Sequence, residues 1–262
     1  MNIPFSKYQG TGNDFVLIDN RKEVYLNMED TAAIRQICDR RFGIGADGLI
    51  LLEEADDYDF KMVYFNADGR QSSMCGNGGR CITAFAHHLG IIDQEARFLA
   101  IDGPHEARIR EDQWVELKMI DVAEVEVGED YFLLNTGSPH YIIFVEDIDD
   151  INVVENGQAI RYSRRFRKEG VNVNFVEKTS AGLIVATYER GVEDETLSCG
   201  TGVTAAAIAY HIDQQKEGEE VAIESKGGRL AVRLAAGSDG GFRDIWLCGP
   251  AQQVFSGVYK KA

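Results

Sequence analysis

Met74-Cys75-Gly76-Asn77-Gly78 and Ser198-Cys199-Gly200-Thr201-Gly202 are two versions of one turn, each opening an Ala-containing segment with helical spacing. A cysteine at a helix N-terminus feels the positive end of the dipole and the unpaired backbone N–H groups. Both favour thiolate and move a thiol from about 8.5 toward neutrality. The glycines let the backbone open and let a ligand approach the N–H groups. Each turn is therefore an anion cradle beside a base. Two of them facing one cavity would hold a single carboxylate between two helix ends, with a sulfur on each side of its α-carbon. One thiolate would remove the α-proton and the other thiol would return a proton to the opposite face. Negative charge builds on the carboxylate as the carbanion forms, so donors aimed there are the expected remedy when no cofactor takes the electrons. A lone buried cysteine is more often a small core residue. A matched pair at equivalent places shifts the balance to chemistry.

The match extends beyond the cysteines. Cys75 and Cys199 are 124 residues apart, as are His87 and His211. At an offset of 125, Thr11-Gly12-Asn13 answers Thr136-Gly137-Ser138 and Gly45-Ala46-Asp47 answers Gly170-Val171-Asn172. Tyr64-Phe65-Asn66 answers Thr187-Tyr188-Glu189 at 123. This pattern predicts an internal duplication with one half per copy. The expected halves are 1–119, with a terminal strand over about 251–262 crossing back to it, and 120–250.

The elements that must position the two turns follow from apolar period and punctuation. Phe15–Ile18, Gly48–Leu52, Lys61–Phe65, Val115–Lys118, Tyr141–Val145 and Leu183–Tyr188 read as strands. So do Val221–Glu224, Leu230–Arg233, Ile245–Leu247 and Val254–Tyr259. Helices are expected over Thr31–Arg41, capped by Asp30 and stopped by Gly43; over Asn77–Leu89, ended by Gly90; over Val153–Tyr162; and over Thr201–Gln214. Strands follow one another directly, which excludes a repeating βαβ sheet and predicts α+β halves, each a mixed barrel-like sheet around its Cys-led helix. Gly200-x-Gly202-x-x-Ala205 fits a dinucleotide fingerprint, but it lacks the βαβ surroundings that this fingerprint needs.

A length of 262 residues with 44% hydrophobic and 27% charged residues describes a soluble globular chain. A net charge of −16 argues against nucleic acid or an anionic membrane as partner. The start carries no secretory pattern and no apolar run reaches a membrane span, so a cytoplasmic location is expected. Five cysteines, an odd number, point to a reducing compartment. No Cys-x-x-Cys pair suggests a metal site. Cys38, Cys81 and Cys248 read as packing residues.

The motifs resemble those of the diaminopimelate epimerase family. Gly12-Asn13-Asp14-Phe15, Phe65–Gly69 with Cys75–Cys81, and Glu189-Arg190-Gly191 with Glu195–Gly202 carry the likeness across both halves. The resemblance implies interconversion of LL- and meso-diaminopimelate in lysine and cell-wall precursor synthesis, without a cofactor or metal, by a homodimer. It makes Cys75 and Cys199 the acid–base pair. Backbone N–H groups of Gly76-Asn77 and Gly200-Thr201 would hold the reacting α-carboxylate. Asn13, Asn66, Asn172, Glu189 and Arg190 would read the distal end, with Arg190 suited to a carboxylate and Glu189 to an ammonium. His140 and Glu189 fall where the family tunes its thiols.

The chain departs from the family at several places. Gly137-Ser138-Pro139-His140 has a serine, a weaker substrate contact, where an asparagine is usual. Gly48 stands where many members have glutamine, and Phe255 where some have a dimer-contact tyrosine. Proline or hydroxyproline racemases are the nearest rival, but they usually carry histidine where this chain has Asn77. A thiol redox switch between Cys75 and Cys199 is the non-enzymatic alternative.

Overall fold

A computed structural model describes residues 1–72, 74–214 and 220–261. The chain divides into two compact units, Met1–Leu117 with Gly249–Ala262, and Lys118–Cys248. The first holds β1 (Asn2–Gly10), β2 (Asn13–Asp19), α1 (Thr31–Cys38), β3 (Gly48–Glu53), β4 (Phe60–Asn66), α2 (Gly76–His88), β5 (Glu95–Ala100), β6 (Gly103–Ile109) and β7 (Val115–Lys118). The second holds β8 (Val125–Val127), β9 (Phe132–Asn135), β10 (Pro139–Val145), α3 (Val153–Arg161), β11 (Asn172–Thr179), β12 (Gly182–Glu189), β13 (Asp194–Thr196), α4 (Gly200–Gln214), β14 (Val221–Ser225), β15 (Gly228–Ala236) and β16 (Phe242–Gly249). β17 (Gln252–Lys260) returns to the first unit as an antiparallel partner of β1. Residue 262, in the expected terminal strand, lies outside the described residues.

The same pairing sequence runs through both units. In the first, β1–β2 is antiparallel, β2–β3 parallel, β3–β4 antiparallel, β4–β5 parallel, and β5–β6 and β6–β7 antiparallel. In the second, β9–β10, β10–β11, β11–β12, β12–β14, β14–β15 and β15–β16 repeat that alternation in order. Backbone torsions repeat as well. Gly12 and Gly137 have φ of 85° and 109°, and Gly45 and Gly170 have 82° and 77°. These left-handed positions favour glycine, because any other side chain is strained there. The fold is thus the duplicated α+β architecture that the sequence predicts.

Each Cys-led helix is the centre of its unit. α2 packs against β1, β2, β3, β4 and β6, and α4 against β9, β10, β11, β12 and β15. The run from Val203 to Ala209 is buried throughout. A helix apolar all round belongs inside its unit, and its alanines let strands approach from several sides. Gly90, at φ 69°, ends α2 by donating its N–H to the His87 carbonyl.

Local details differ from the sequence expectations. α1 stops at Cys38 rather than Arg41, because Asp39 takes an extended backbone and Gly43 donates instead to the Asp39 carbonyl. Asp30 makes no side-chain cap; its carboxylate accepts from the Asn27 N–H and from Lys261 Nζ at 2.7 Å. The strands β1, β5, β6, β8, β9, β11 and β13 are additional to those expected.

Candidate active site

In the first unit the site begins with backbone geometry. Cys75 is the extended N-cap of α2 (φ −106°, ψ 129°), and its carbonyl accepts the Gly79 N–H at 2.7 Å. Its thiol is therefore held at the mouth of the helix, beside the first free N–H groups. Across from it, the tight turn at Thr11-Gly12 (φ 48° and 85°) delivers Asn13 as the first residue of β2. The Cys75 Sγ–H donates to Asn13 Oδ1 at 3.6 Å, and Asn77 Nδ2 donates to the same oxygen at 3.4 Å. Asn77 is itself oriented by Arg80, wholly buried one turn along the helix. Its Nη2 donates to Asn77 Oδ1 at 3.0 Å and to Thr11 Oγ1 at 3.2 Å.

On the other side of Asn13, its Nδ2 donates to Asp47 Oδ2 at 2.7 Å. The second Asp47 oxygen accepts from Arg40 at 2.7 Å. Arg40 also clamps Asp14 with contacts of 2.6 and 3.0 Å, and Lys7 reaches the same carboxylate at 2.7 Å. Burial pulls the Asp14 carboxyl upward, but the hydrogen bonds from Arg40 and Lys7 outweigh it and hold the group well below the usual carboxylate range.

Asn66 closes β4 opposite Gly48, with its side chain exposed. Gly48 has no space for the side chain that many relatives are expected to carry. A Cβ there would lie 2.5 Å from Tyr64 Cε2 and 2.6 Å from the Phe65 carbonyl oxygen. Gly48 and the Tyr64 ring are one solution to filling that place.

The second unit builds its thiol environment from other groups. Cys199 precedes α4, its carbonyl accepting from Val203 N–H at 3.0 Å. Its Sγ lies 3.5 Å from Thr201 Oγ1, which lies 2.9 Å from His140 Nε2. Behind the imidazole, Asn174 Nδ2 meets His140 Nδ1 at 3.1 Å, while Thr187 Oγ1 donates to Asn174 Oδ1 at 2.9 Å. These contacts assign the tautomer. The Tyr141 carbonyl, which can only accept, meets the same Asn174 nitrogen at 3.3 Å and so fixes it as the donor end. That nitrogen donates to Nδ1 and the proton sits on Nε2, while Asn172 Nδ2, 3.5 Å from Nε2, gives its protons to Ser138 Oγ and the Pro139 carbonyl. His140 Nε2–H then donates to Thr201, leaving that hydroxyl's proton for Cys199. Burial pushes His140 down to about 3, so the ring is neutral near pH 7 and acts as a dipole rather than a charge.

Asn172 and Arg190, two of the residues expected to read the distal end, converge on Ser138. Asn172 Nδ2 donates to Ser138 Oγ at 2.8 Å, and Arg190 Nη2 donates to it at 3.3 Å. Asn172 Oδ1 accepts the Arg190 backbone N–H at 2.8 Å, and Arg190 Nη1 donates to the Glu169 carbonyl at 2.9 Å. The short serine hydroxyl thus bridges the asparagine and the arginine. Glu189 precedes Arg190 at the end of β12, and burial pushes its carboxyl up. An arriving ammonium would reverse that shift.

The structure therefore joins Asn13, Cys75 and Asn77 by hydrogen bonds, and separately joins Cys199, Thr201 and His140, and Ser138, Asn172 and Arg190. Sequence reasoning missed Asp47, Arg80, Asn174 and Thr187. Asn174 left a signal: Asn172 and Asn174 alternate along one face of the otherwise apolar first half of β11, both buried.

The duplicated fold is shared with solved structures of other proteins. A phenazine biosynthesis protein of the PhzF family from Bacillus anthracis superposes with a TM-score of 0.80 at 12% identity, covering 100% of both chains. A hydroxyproline epimerase from Agrobacterium vitis gives 0.70 at 15%, covering 98% of this chain and 92% of that one. Likeness at such identity establishes the fold. Sequence narrows it further: the family profile described as diaminopimelate epimerase matches residues 5–125 and 132–243. The diaminopimelate epimerase of Flavobacterium psychrophilum is 51% identical over 250 residues, covering 95% of this chain and 97% of the relative. That of Aquifex aeolicus is 38% identical over 275 residues, covering 97% of each. The chain belongs to the diaminopimelate epimerase family.

Proposed function

We propose that this chain interconverts LL- and meso-diaminopimelate by exchanging one α-proton between two thiols, without a cofactor, in the synthesis of lysine and cell-wall precursors. The observation that carries this reading is the same cysteine-led helix N-terminus, built twice within units of identical strand order. Cys75 and Cys199 act on opposite faces of the α-carbon, one as thiolate base and the other as thiol acid. The N–H groups of Gly76-Asn77 and Gly200-Thr201 take the charge that develops on the α-carboxylate. Asn13, Asn66, Asn172, Glu189 and Arg190 read the distal ammonium and carboxylate, and Ser138 supports Asn172 and Arg190. His140, through Thr201, supplies a hydroxyl proton to Cys199 and so favours its thiolate; Glu189 is the second group assigned to thiol tuning.

Every amino acid offers the same reacting end, so discrimination lies at the distal end. Glu189, half-buried, and Arg190, exposed, would each lose a charged partner with a shorter substrate, which supports selectivity against it. The reduced protein, assayed in D₂O with LL-diaminopimelate beside proline and hydroxyproline, is expected to produce the meso isomer with deuterium at the inverted carbon. Arg190→Ala should cut that turnover steeply. Comparable turnover of proline would move the reading to a racemase, and absence of α-proton exchange with every substrate would move it to a redox switch.

The working form in this reading is a cytoplasmic homodimer. No helix among the described residues is long and apolar enough to cross a membrane. β17 is almost wholly exposed, including the apolar Val254, Phe255 and Val258. Sedimentation showing a monomer at working concentration would remove the dimer from the proposal.

A further inference from the structure

The two units tie corresponding residues together with opposite polarity. At the 125-residue offset Asn13 answers Ser138 and Asp47 answers Asn172, and both pairs are hydrogen-bonded. In the second unit the residue on β11 donates to the residue that precedes β10. In the first the direction is reversed, because Asp47 in its ionised form can only accept. That reversal fixes the Asn13 amide. Its nitrogen is committed to Asp47 Oδ2 at 2.7 Å, so its oxygen faces the Cys75 Sγ at 3.6 Å. The Asp47 carboxylate is in turn fixed by Arg40 and by the Asp14 backbone N–H, at 2.7 and 3.2 Å. Arg80 orients Asn77 from the opposite end, so that Asn77 also donates to Asn13 Oδ1. A chain of oriented dipoles thus runs from a buried guanidinium to a carboxylate, with Asn13 in its middle.

We infer that Asp47 is a positioning residue of the first thiol: by holding the Asn13 nitrogen, it turns the amide oxygen onto Cys75 and keeps Cys75 protonated before substrate arrives. An amide oxygen accepts from a thiol and gives a thiolate nothing, whereas the turned amide would donate to it. Cys199 is paired with a hydroxyl that has a proton to give. The resting protein therefore carries its acid at Cys75 and its base at Cys199. Asp47 touches neither sulfur and acts through Asn13.

The inference rests on the two-thiol reading, and its test needs no substrate, so the two can fail separately. Alkylation of each cysteine by iodoacetamide at pH 7 is followed by peptide mass spectrometry on the full-length reduced protein. Asp47→Ala frees the Asn13 amide to turn its N–H toward sulfur. Cys75 alkylation should then rise by roughly 3–10-fold, because only the thiolate reacts, with Cys199 within about twofold of wild type. Asn13→Ala should raise the Cys75 rate as well, and adding Asp47→Ala to it should change nothing further. Arg21→Gln removes the Arg21–Asp19 ion pair of the same unit, which touches neither Asp47 nor Asn13, and should leave the Cys75 rate within about twofold of wild type, which separates the effect from general loosening. If Asp47→Ala unfolds the chain, Asp47→Leu, similar in shape and unable to accept, is read in its place with the same expected sign. An unchanged Cys75 rate, an equal rise at Cys199, an equal effect of Arg21→Gln, or full additivity with Asn13→Ala would each overturn the inference. If the alkylation pattern holds while Cys75→Ala still epimerises diaminopimelate, the proposed reaction fails and the positioning role stands.

Discussion

The Cys75 turn and the Cys199 turn have the same backbone and opposite surroundings. Both cysteines cap a helix, and both carbonyls accept the first helical N–H four residues on. Around that shared frame, Cys75 faces an amide oxygen that a carboxylate holds in place, whereas Cys199 faces a hydroxyl supplied by an imidazole. The difference extends inward. At the 125-residue offset the buried Phe15 answers the buried His140, so one unit fills with a ring what the other fills with a proton relay. At 124, the buried Arg80 answers the buried Thr204, so the first helix carries a charge where the second carries a hydroxyl bonded to its own backbone. A duplicated scaffold supplies two equivalent helix ends, and substitution around them gives each thiol different hydrogen-bond partners.

The largest expected effect tests whether the two turns are chemically equivalent partners. Cys75→Ala and Cys199→Ala should each reduce epimerisation by about 10³-fold or more, in both directions of the reaction. Retention of full rate by either variant would break the pairing and leave a one-base mechanism.

His140→Gln sharpens the contrast, since the relay exists only in the second unit. It should lower epimerisation by roughly 10–100-fold and slow Cys199 alkylation, leaving Cys75 alkylation unchanged. Equal slowing at both cysteines would mean that His140 acts on the whole chain.

The same histidine makes stability pH-dependent. Unfolded, the imidazole takes a proton near its ordinary 6.5; folded, it does so only near 3. Between those values the unfolded chain binds the extra proton, so the stability that His140 contributes is complete above 6.5 and is lost as pH falls through the window. The slope is at most about 1.4 kcal/mol per pH unit. Urea titrations from pH 7.5 to 4 should show a steeper loss for wild type than for His140→Gln. Parallel curves would refute the assignment.

The smallest effect concerns the second glycine of each Cys-Gly-x-Gly turn. A Cβ on Gly202 would lie 2.5 Å from Asn174 Oδ1, in the cluster that orients His140. A Cβ on Gly78 would meet only the flexible ends of Ile50 and Met62, both at 3.2 Å. Gly202→Ala should therefore cost about 1–3 kcal/mol. Gly78→Ala should lie within about 1 kcal/mol of wild type, because alanine's helix preference offsets the crowding. Equal costs by thermal denaturation would place the asymmetry elsewhere.

The two turns were legible in the sequence because cysteine next to Gly-x-Gly is uncommon and its recurrence marks the duplication. The four helices were legible from caps, stops and alanine content, to within a few residues. Asp47 was not, although Gly45-Ala46-Asp47 marked its place in the repeat. Its meaning depends on parallel pairing of β2 with β3, which sets Asp47 beside Asn13 across 34 residues of chain. Local pattern carries no information about such register. β11 escaped notice because alternating asparagines lower strand preference, and only burial against α4 and β12 reveals why they are there.

The return of β17 to β1 bears on how the polypeptide is made. Met1 and Lys261 exchange backbone hydrogen bonds of 3.0 and 2.9 Å, so these two positions, 260 residues apart, are neighbours. Lys118–Cys248 is an insertion within the first unit and can be complete while that unit still lacks its final strand. Until then β1 is an open edge, able to pair with other nascent chains. The half that is translated first is thus the half that is finished last. The adjacent termini also make this chain suited to circular permutation: a short linker from Lys261 to Met1, with new ends opened near Met119–Ala123, would put Gly249–Lys261 directly ahead of β1 and make both units contiguous.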